Sequence, residues 1–111
     1  MQNQVDYLLV VSTCPDHLIA KDLASNIVER RLAACVNILP NIISVYQWQG
    51  RQEQSDECLM LMKTTKQQYA DLQRFIVDKH PYELPEAIAV PISDGLPDYL
   101  AWIGNAINEK Q

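Results

Sequence analysis

Two runs of alternating side chains, joined by a short polar segment, limit the fold of this sequence more than any other feature. The first run covers residues 35–48 (CVNILPNIISVYQW), and the second ends in residues 58–64 (CLMLMKT). Successive side chains of a strand point to opposite faces, and residues 49–52 between the runs include a glycine suited to a turn. We therefore predict a long β-hairpin. Pro40 cannot donate to a sheet ladder, which predicts an edge strand or a bulge there.

Strand and helix patterns flank the hairpin in a definite order. Residues 5–12 are apolar and partly β-branched, which predicts a strand buried on both faces. Residues 16–33 repeat apolar positions at helical spacing, after a turn at residues 13–16. Beyond the hairpin, the patterns predict a helix over residues 66–79, a short strand over residues 87–92 and a terminal helix.

This order, β-α-β-β-α-β followed by a helix, predicts an α+β fold of the ferredoxin-like split β-α-β type. Such a domain has an antiparallel sheet with helices on one face. The length of 111 residues fits a single domain over residues 1–111. The open face of the sheet is apolar, which favours oligomerisation. Tracing the strand directions places residues 12–17, the hairpin tip and residues 80–86 at one end of the sheet.

Charge and cysteine content narrow the classes of partner and compartment. The formal net charge is −5 and no cluster of Lys and Arg is present, so nucleic acid and anionic membranes are poor partners. Three cysteines without paired spacings favour a reducing compartment over secretion. The N-terminal segment lacks a positively charged region. We expect a cytoplasmic location.

The segment from His80 to Glu86 (HPYELPE) concentrates potential ligands in one loop. Two prolines should make it stiff. His80 is either a ligand in a pocket or a polar residue that ends the preceding helix. Cys14 and His17 lie near the start of the first helix, where the helix dipole is expected to lower a thiol pKa. Together with His80 they could form a nitrogen and sulfur site for copper or zinc; otherwise Cys14 is a packed turn residue and His17 is solvated.

Aromatic and charged side chains near the same end of the sheet predict a ligand cleft. The alternative is that its Tyr46 and its two tryptophans pack in a subunit interface. Lys63 and Glu83 could likewise form a buried ion pair instead of contacting a ligand. The predicted cleft residues are Tyr46, Trp48, Glu57, Lys63, Tyr82, Glu83 and Trp102.

Catalytic signals are weak. The sequence has neither a Gly-rich phosphate loop nor an HExxH motif. Cys14 with His17 or His80 could pair a nucleophile with a base, but no third orienting group is evident. Cys35 and Cys58 fall in strand patterns and are expected to be buried structural thiols, and the Met60–Met62 pair is expected in the core. We therefore expect that the protein is not an enzyme.

Several segments together resemble the CutA family of divalent-cation tolerance proteins. They are ERRLAACVN (29–37), SVYQWQG (44–50), KT (63–64), HPYELPE (80–86) and YLAWI (99–103). The resemblance implies a homotrimer with the architecture of PII signalling proteins and a cleft between subunits. It also implies binding of copper or another divalent cation and a role in the response to metal ions.

The family resemblance also implies a copper site with three ligands, and this chain retains the ligand residue at only one of the three positions. Some members carry a cysteine near the end of the first strand and two adjacent histidines before the Pro-Tyr pair. These positions are Ser12, Lys79 and His80 in this chain. We therefore expect His80 and Cys14 as metal ligands, with His17 or a carboxylate completing the site. The alternative is a PII-like regulatory trimer that binds a small ligand or a partner protein in the intersubunit cleft.

Overall fold

The structure, a computed structural model, describes residues 6–108. Four strands and three helices follow one another in the predicted order. They are β1 (Tyr7–Cys14), α1 (His17–Glu29), β2 (Cys35–Trp48), β3 (Arg51–Thr65), α2 (Lys66–Lys79), β4 (Ile88–Pro91) and α3 (Pro97–Asn108).

The four strands form one antiparallel sheet in the order β2-β3-β1-β4. This confirms the predicted α+β fold and its split β-α-β arrangement. Helices α1 and α2 cover one face, where Val10, Met60 and Met62 are almost fully buried. Ile27 of α1 and Leu72 of α2 pack into the same core. The Met60–Met62 pair therefore belongs to the core, as its strand spacing indicated.

Helix α3 packs against the other face of the sheet, a position that the sequence patterns do not specify. Tyr7 points away from the main core because it alternates with the core residue Leu8. A Cβ added to Gly104 of α3 would lie 3.4 Å from the Tyr7 hydroxyl oxygen. The guanidinium of Arg31 donates to the Ala106 carbonyl at 3.0 Å. These contacts fix α3 over one end of the face that we expected to be open.

The β2–β3 hairpin has the predicted turn and irregularity. The two strands are paired residue by residue along the hairpin, except at a register shift between Leu39 and Ile42. Asn41, within this shift, has φ 63°. This confirms a bulge at Pro40, in a strand that is also at the edge of the sheet. At the tip, Gln49 and Gly50 have φ values of 52° and 78°, as a two-residue turn of mirror-image type requires.

Two predicted boundaries differ from the structure near β1 and α1. Val5 lies outside the described residues, and β1 continues through Cys14, so the chain turns later than expected. Helix α1 ends at Glu29 and not at residue 33. Arg31 adopts φ 58°, and the Leu32 amide donates to the Ile27 carbonyl at 2.9 Å. This left-handed residue closes the helix by satisfying carbonyls of its last turn.

Two buried hydroxyl groups predict opposite mutational effects on stability. Thr64 Oγ1 donates to the Leu32 carbonyl at 2.7 Å, whereas Ser12 Oγ is buried without a partner in the described part of the chain. We expect Ser12→Ala to leave the free energy of unfolding unchanged or raise it by up to about 1 kcal/mol, and Thr64→Val to lower it by about 1–3 kcal/mol. Urea denaturation of both variants measures the difference, and equal losses would contradict it.

Candidate functional site: an acidic pocket beside a histidine link

His80 links the loop after α2 to the end of β1. Its Nε2 lies 2.6 Å from the Thr13 carbonyl oxygen, and its Nδ1 lies 3.1 Å from the Tyr82 amide nitrogen. A carbonyl can only accept and an amide N–H can only donate. Nε2 therefore carries the proton and Nδ1 accepts, so both ring nitrogens are used within the protein. His80 is 7% exposed, which makes it the buried anchor of this loop.

Cys14 lies against this histidine in the core. Its Sγ is 3.7 Å from His80 Nε2 and 3.4 Å from the sulfur of Met60. Burial raises the pKa of the Cys14 thiol to about 11, with further contributions from Cys58, Asp16 and Glu57. This reverses the expectation that the start of α1 lowers it. The thiol is thus protonated at neutral pH and is a poor nucleophile or metal ligand in this state.

The predicted copper ligands do not fit a metal ion as they are arranged here. The structure brings Cys14 and His80 together, but His17 is exposed at the start of α1. Within residues 6–108, no group of three or more His, Cys, Asp and Glu side chains could hold a metal ion. Binding at His80 would also break its link to Thr13 or Tyr82, because neither ring nitrogen has a free lone pair directed at a ligand.

Burial of the thiols predicts low reactivity in the native protein. Cys14 is fully buried and Cys58 is 4% exposed, as expected for Cys58, whereas Cys35 is only half-buried. We expect at most one thiol per chain to react rapidly with a disulfide reagent at pH 8, and all three to react after denaturation. The Cys35→Ser variant should lose the rapid reaction. Rapid modification of Cys14 would contradict the geometry described above.

A pocket of about 610 Å³ opens where β1, the β2–β3 hairpin and the residue 80–86 loop meet. The Tyr82 hydroxyl donates to the Glu57 carboxylate at 2.5 Å, and the Tyr46 and Ser55 hydroxyls are 2.8 Å apart. These bonds fix the directions of two aromatic rings. We call this cavity the acidic pocket; its lining residues are Thr13, Ser44, Val45, Tyr46, Trp48, Glu57, Tyr82, Glu83, Leu84 and Glu86.

Three carboxylates and no basic side chain line the acidic pocket. Glu57 is 8% exposed. Burial raises the pKa of Glu86, and the negative charge of Glu57 raises it further. Burial and the bond to Glu57 also place the pKa of Tyr82 far above its usual range. No basic side chain among the described lining residues balances these acidic groups.

Lys63 and Trp102, two of the predicted cleft residues, lie outside the acidic pocket. Lys63 follows Glu57 by six residues on β3, a separation of roughly 20 Å at about 3.3 Å per residue. Its Nζ is 3.2 Å from the Tyr99 hydroxyl oxygen, and Tyr99 stacks on Trp102 with ring centroids 5.5 Å apart. A Lys63–Glu83 ion pair does not form in the described residues, where the one ion pair joins Arg74 and Asp71.

Sequence reasoning missed Glu86, a pocket carboxylate whose pKa is raised by burial and by the charge of Glu57. It stands in the same segment as Tyr82 and Glu83, which are among the predicted cleft residues. The sequence distance between Tyr82 and Glu86 does not predict where the Glu86 side chain lies, because the loop that joins them has no helical or strand periodicity. Thr13 is a second omission: the sequence predicts only a turn there, although its carbonyl holds His80.

Comparison with known proteins gives consistent results. The family model described as CutA1 divalent ion tolerance protein matches residues 8–106. The chain is 44% identical over 97 residues to a Xenopus laevis relative named Protein CutA homolog, covering 87% of this chain and 64% of that protein. It is 42% identical over 95 residues to the Divalent-cation tolerance protein CutA of Thermus thermophilus, covering 86% of this chain and 92% of that protein.

Solved structures agree with these sequence relationships. The crystal structure of CutA from Xylella fastidiosa superposes with a TM-score of 0.89 at 45% identity, covering 92% of this chain and 98% of that chain.

The chain spans only about half to two thirds of the length of its vertebrate relatives. Among residues 6–108, no helix has both the length and the apolar character needed to cross a membrane.

The fold and the pocket define a ferredoxin-like α+β domain with an acidic cavity at one end of its sheet. Because the family model covers most of the chain and the relatives exceed 40% identity, the relationship is specific. The chain belongs to the CutA1 divalent ion tolerance family.

Proposed function

We propose that the protein contributes to divalent-cation tolerance by binding divalent cations, copper(II) among them, in the acidic pocket. Its relatives bear the name divalent-cation tolerance protein. The observation that carries the proposed site is a cavity lined by three carboxylates, those of Glu57, Glu83 and Glu86, and by no basic side chain of the described residues. A divalent cation would remove the repulsion between these carboxylates.

The ligand set of the pocket favours weak binding through oxygen atoms. Two carboxylates supply part of a coordination sphere, and water completes it for cations that dehydrate reluctantly. Among first-row divalent ions, copper(II) binds a given set of ligands most tightly. The competing site is the Cys14–His80 pair, which would have to lose a thiol proton and a buried histidine bond first.

Calorimetric titration with Mn²⁺, which does not oxidise thiols, distinguishes the two sites. We expect Glu86→Gln to weaken binding by about tenfold, equivalent to about 1.4 kcal/mol. Binding should also weaken as the pH falls, because the raised pKa of Glu86 lets protons compete with the cation. The titration is then repeated with Cu²⁺ on the Cys35→Ser background.

Two variants serve as controls for this titration. Glu29→Gln removes an exposed carboxylate at the end of α1, and Cys14→Ala removes the thiol of the competing site. We expect both to bind like the wild type. Loss of binding in Cys14→Ala together with normal binding in Glu86→Gln would overturn the pocket as the cation site.

The proposal includes a homotrimer, which the family resemblance implies. It is supported by exposed apolar side chains on the strands: Ile43 and Val45 on β2 are more than half exposed, and Ile88 and Val90 line the β4 edge. Both edge strands of the sheet therefore present exposed apolar side chains, which favours association with other copies of the chain.

Light scattering coupled to size exclusion tests the trimer. We expect three times the chain mass for the wild type and a smaller species for the Ile43→Glu, Val45→Glu double variant, because a charge buried in an interface is costly. Val77→Glu, at an exposed position of α2, should keep the wild-type mass. A wild-type monomer would contradict the proposal.

A second candidate is a PII-like regulatory trimer that binds a small ligand or a partner protein. The aromatic walls of the acidic pocket favour it, since a metal ion alone does not use them. The predicted seven-residue cleft would form only if Lys63 and Trp102 of one subunit met the acidic pocket of another. Thermal stabilisation by metabolites but not by metal ions would favour this candidate.

The proposed role is binding without catalysis, in the cytoplasm. The burial and raised pKa of Cys14 argue against its use as a nucleophile. Three free cysteines are compatible with a reducing compartment. Cell fractionation tests the location, and recovery of the protein outside the cytoplasm would contradict it.

A further inference from the structure

Cys14 and Cys58 face each other across two neighbouring strands. They are direct partners in the antiparallel register of β1 and β3, where the Cα atoms of opposed residues are about 4.5–5.5 Å apart. A disulfide needs a Cα separation of about 4.4–6.8 Å. Both side chains belong to the buried core, and both thiols are free in this structure. The backbone therefore already holds the two cysteines at a distance that a disulfide can bridge.

The third cysteine is not opposed to either of these two. Cys35 pairs with Lys63 of β3, and Lys63 is roughly 16 Å from Cys58 along the strand, at about 3.3 Å per residue. Strand β3 also separates Cys35 from Cys14 on β1. Two cysteines whose Cα atoms are more than about 7 Å apart cannot be joined without backbone movement. The geometry therefore selects one of the three possible pairs.

The Cys14 sulfur also contacts the residues that hold the end of β1. Its thiol donates to the Met60 sulfur at 3.4 Å, and the sulfur lies 3.7 Å from His80 Nε2. The same nitrogen donates to the Thr13 carbonyl. A disulfide sulfur carries no proton, so oxidation would remove the bond to Met60 and would change the sulfur that contacts the His80 ring. Oxidation at Cys14 would thereby affect the loop that His80 anchors.

We propose that Cys14 and Cys58 form a reversible intrachain disulfide that makes the residue 80–86 loop responsive to oxidation. Hydrogen peroxide, the oxidant, converts one thiol into a sulfenic acid and is reduced to water. The second thiol attacks the sulfenic sulfur, so the S–S bond forms, the S–O bond breaks and a second water leaves. Burial makes the first step slow, in agreement with the low thiol reactivity expected above.

The proposed pair suits a single chain in a reducing compartment. Both sulfur atoms lie in the core of one chain, so the inference is the same for a monomer and for a trimer. Disulfides in reducing compartments are usually transient and often sense oxidants, and a dithiol such as dithiothreitol would restore both thiols by exchange. The inference uses neither the acidic pocket nor a metal ion, so it goes beyond the proposed function and is tested separately from it.

Peptide mapping by mass spectrometry after peroxide treatment tests which cysteines join. In the folded protein we expect the Cys14–Cys58 link to exceed any link to Cys35 by at least about tenfold. In urea the order should reverse, because a shorter loop closes at a smaller entropic cost and the Cys14–Cys58 loop is about twice as long as the other two. A dominant link to Cys35 in the folded protein, or no intrachain disulfide, would overturn the inference.

The Cys35→Ser variant isolates the opposed pair. We expect peroxide to remove both of its thiols with the loss of two hydrogen atoms per chain, and dithiothreitol to restore them; mass gain by oxygen addition alone would contradict a disulfide. Adding Cys58→Ala on this background should abolish the reversible loss of the Cys14 thiol. Persistence of that reversible loss within one chain would contradict the assignment of Cys58 as the partner.

The two histidines report whether the disulfide reaches the loop. In the Cys35→Ser protein, we expect oxidation to shift the proton NMR signals of the His80 ring, which contacts the Cys14 sulfur. The signals of His17, which is exposed at the start of α1, should shift much less. A disulfide that leaves the His80 signals unchanged, or that shifts both histidines equally, would overturn the proposed link to the loop.

Discussion

Replacing His80 by alanine should lower the free energy of unfolding by about 2–4 kcal/mol. The substitution removes the bonds from Nε2 to the Thr13 carbonyl and from the Tyr82 amide to Nδ1, and leaves both groups without these partners. It also opens a cavity beside Cys14, whose sulfur contacts the ring. The loss should be the same with and without a chelator, because it arises from hydrogen bonds within the protein and not from a metal ion.

The other histidine provides the matched control. His17 is exposed at the start of α1, so His17→Ala should change the free energy of unfolding by no more than about 0.5 kcal/mol. Urea denaturation at one fixed protein concentration compares the variants, since association would otherwise contribute to stability. Similar values for the two histidine variants, or a loss at His80 that disappears with a chelator, would contradict the structural role of His80.

Leu72→Ala should lower the free energy of unfolding by about 2–5 kcal/mol, at least as much as the loss of His80. Leu72 is fully buried on the face of α2 that packs against the sheet, in the same core as Val10 and Met60. The side chain is removed from a close-packed interior that relaxes only partly, so a cavity remains.

Val77 lies on the exposed side of the same helix and is 57% exposed. Val77→Ala should therefore change the free energy of unfolding by no more than about 0.5 kcal/mol. The same urea experiment measures both variants. Comparable losses at the two positions would show that α2 is not packed on the sheet as described.

The sequence predicts the fold because its strong patterns agree with one another. Alternation over residues 35–48 and 58–64 and helical spacing over residues 66–79 each admit one type of element, and their order leaves few sheet topologies. The position of α3 is less predictable. An apolar stripe indicates that a helix is buried, but it does not indicate which face of the sheet receives it.

The candidate site is predictable only in outline. Element order places Cys14, His80 and the hairpin tip at one end of the sheet, and the structure brings Cys14 and His80 within 3.7 Å. The tautomer of His80 depends on its two backbone partners, Thr13 and Tyr82, which no local sequence pattern reveals. Lys63 shares a strand face with Glu57, but face alone does not bring two side chains together when six residues of an extended strand separate them.

The residues at the three family copper positions do not form a copper site in this chain. Ser12 and Lys79 replace two of the three ligands that the resemblance implies. Ser12 is buried without a partner in the described residues, and Lys79 is exposed at the end of α2. The histidine that remains is held by two backbone groups. This is why we propose the acidic pocket, and not the Cys14–His80 pair, as the cation site.

Anomalous diffraction from crystals soaked in Mn²⁺ tests this central claim most directly. Manganese scatters anomalously, so its position can be assigned without reference to the surrounding side chains. We expect a peak in the acidic pocket within coordination distance of the Glu86 carboxylate, and its loss in Glu86→Gln crystals. A peak beside Cys14 and His80, or a pocket without manganese when the ion binds in solution, would contradict the account.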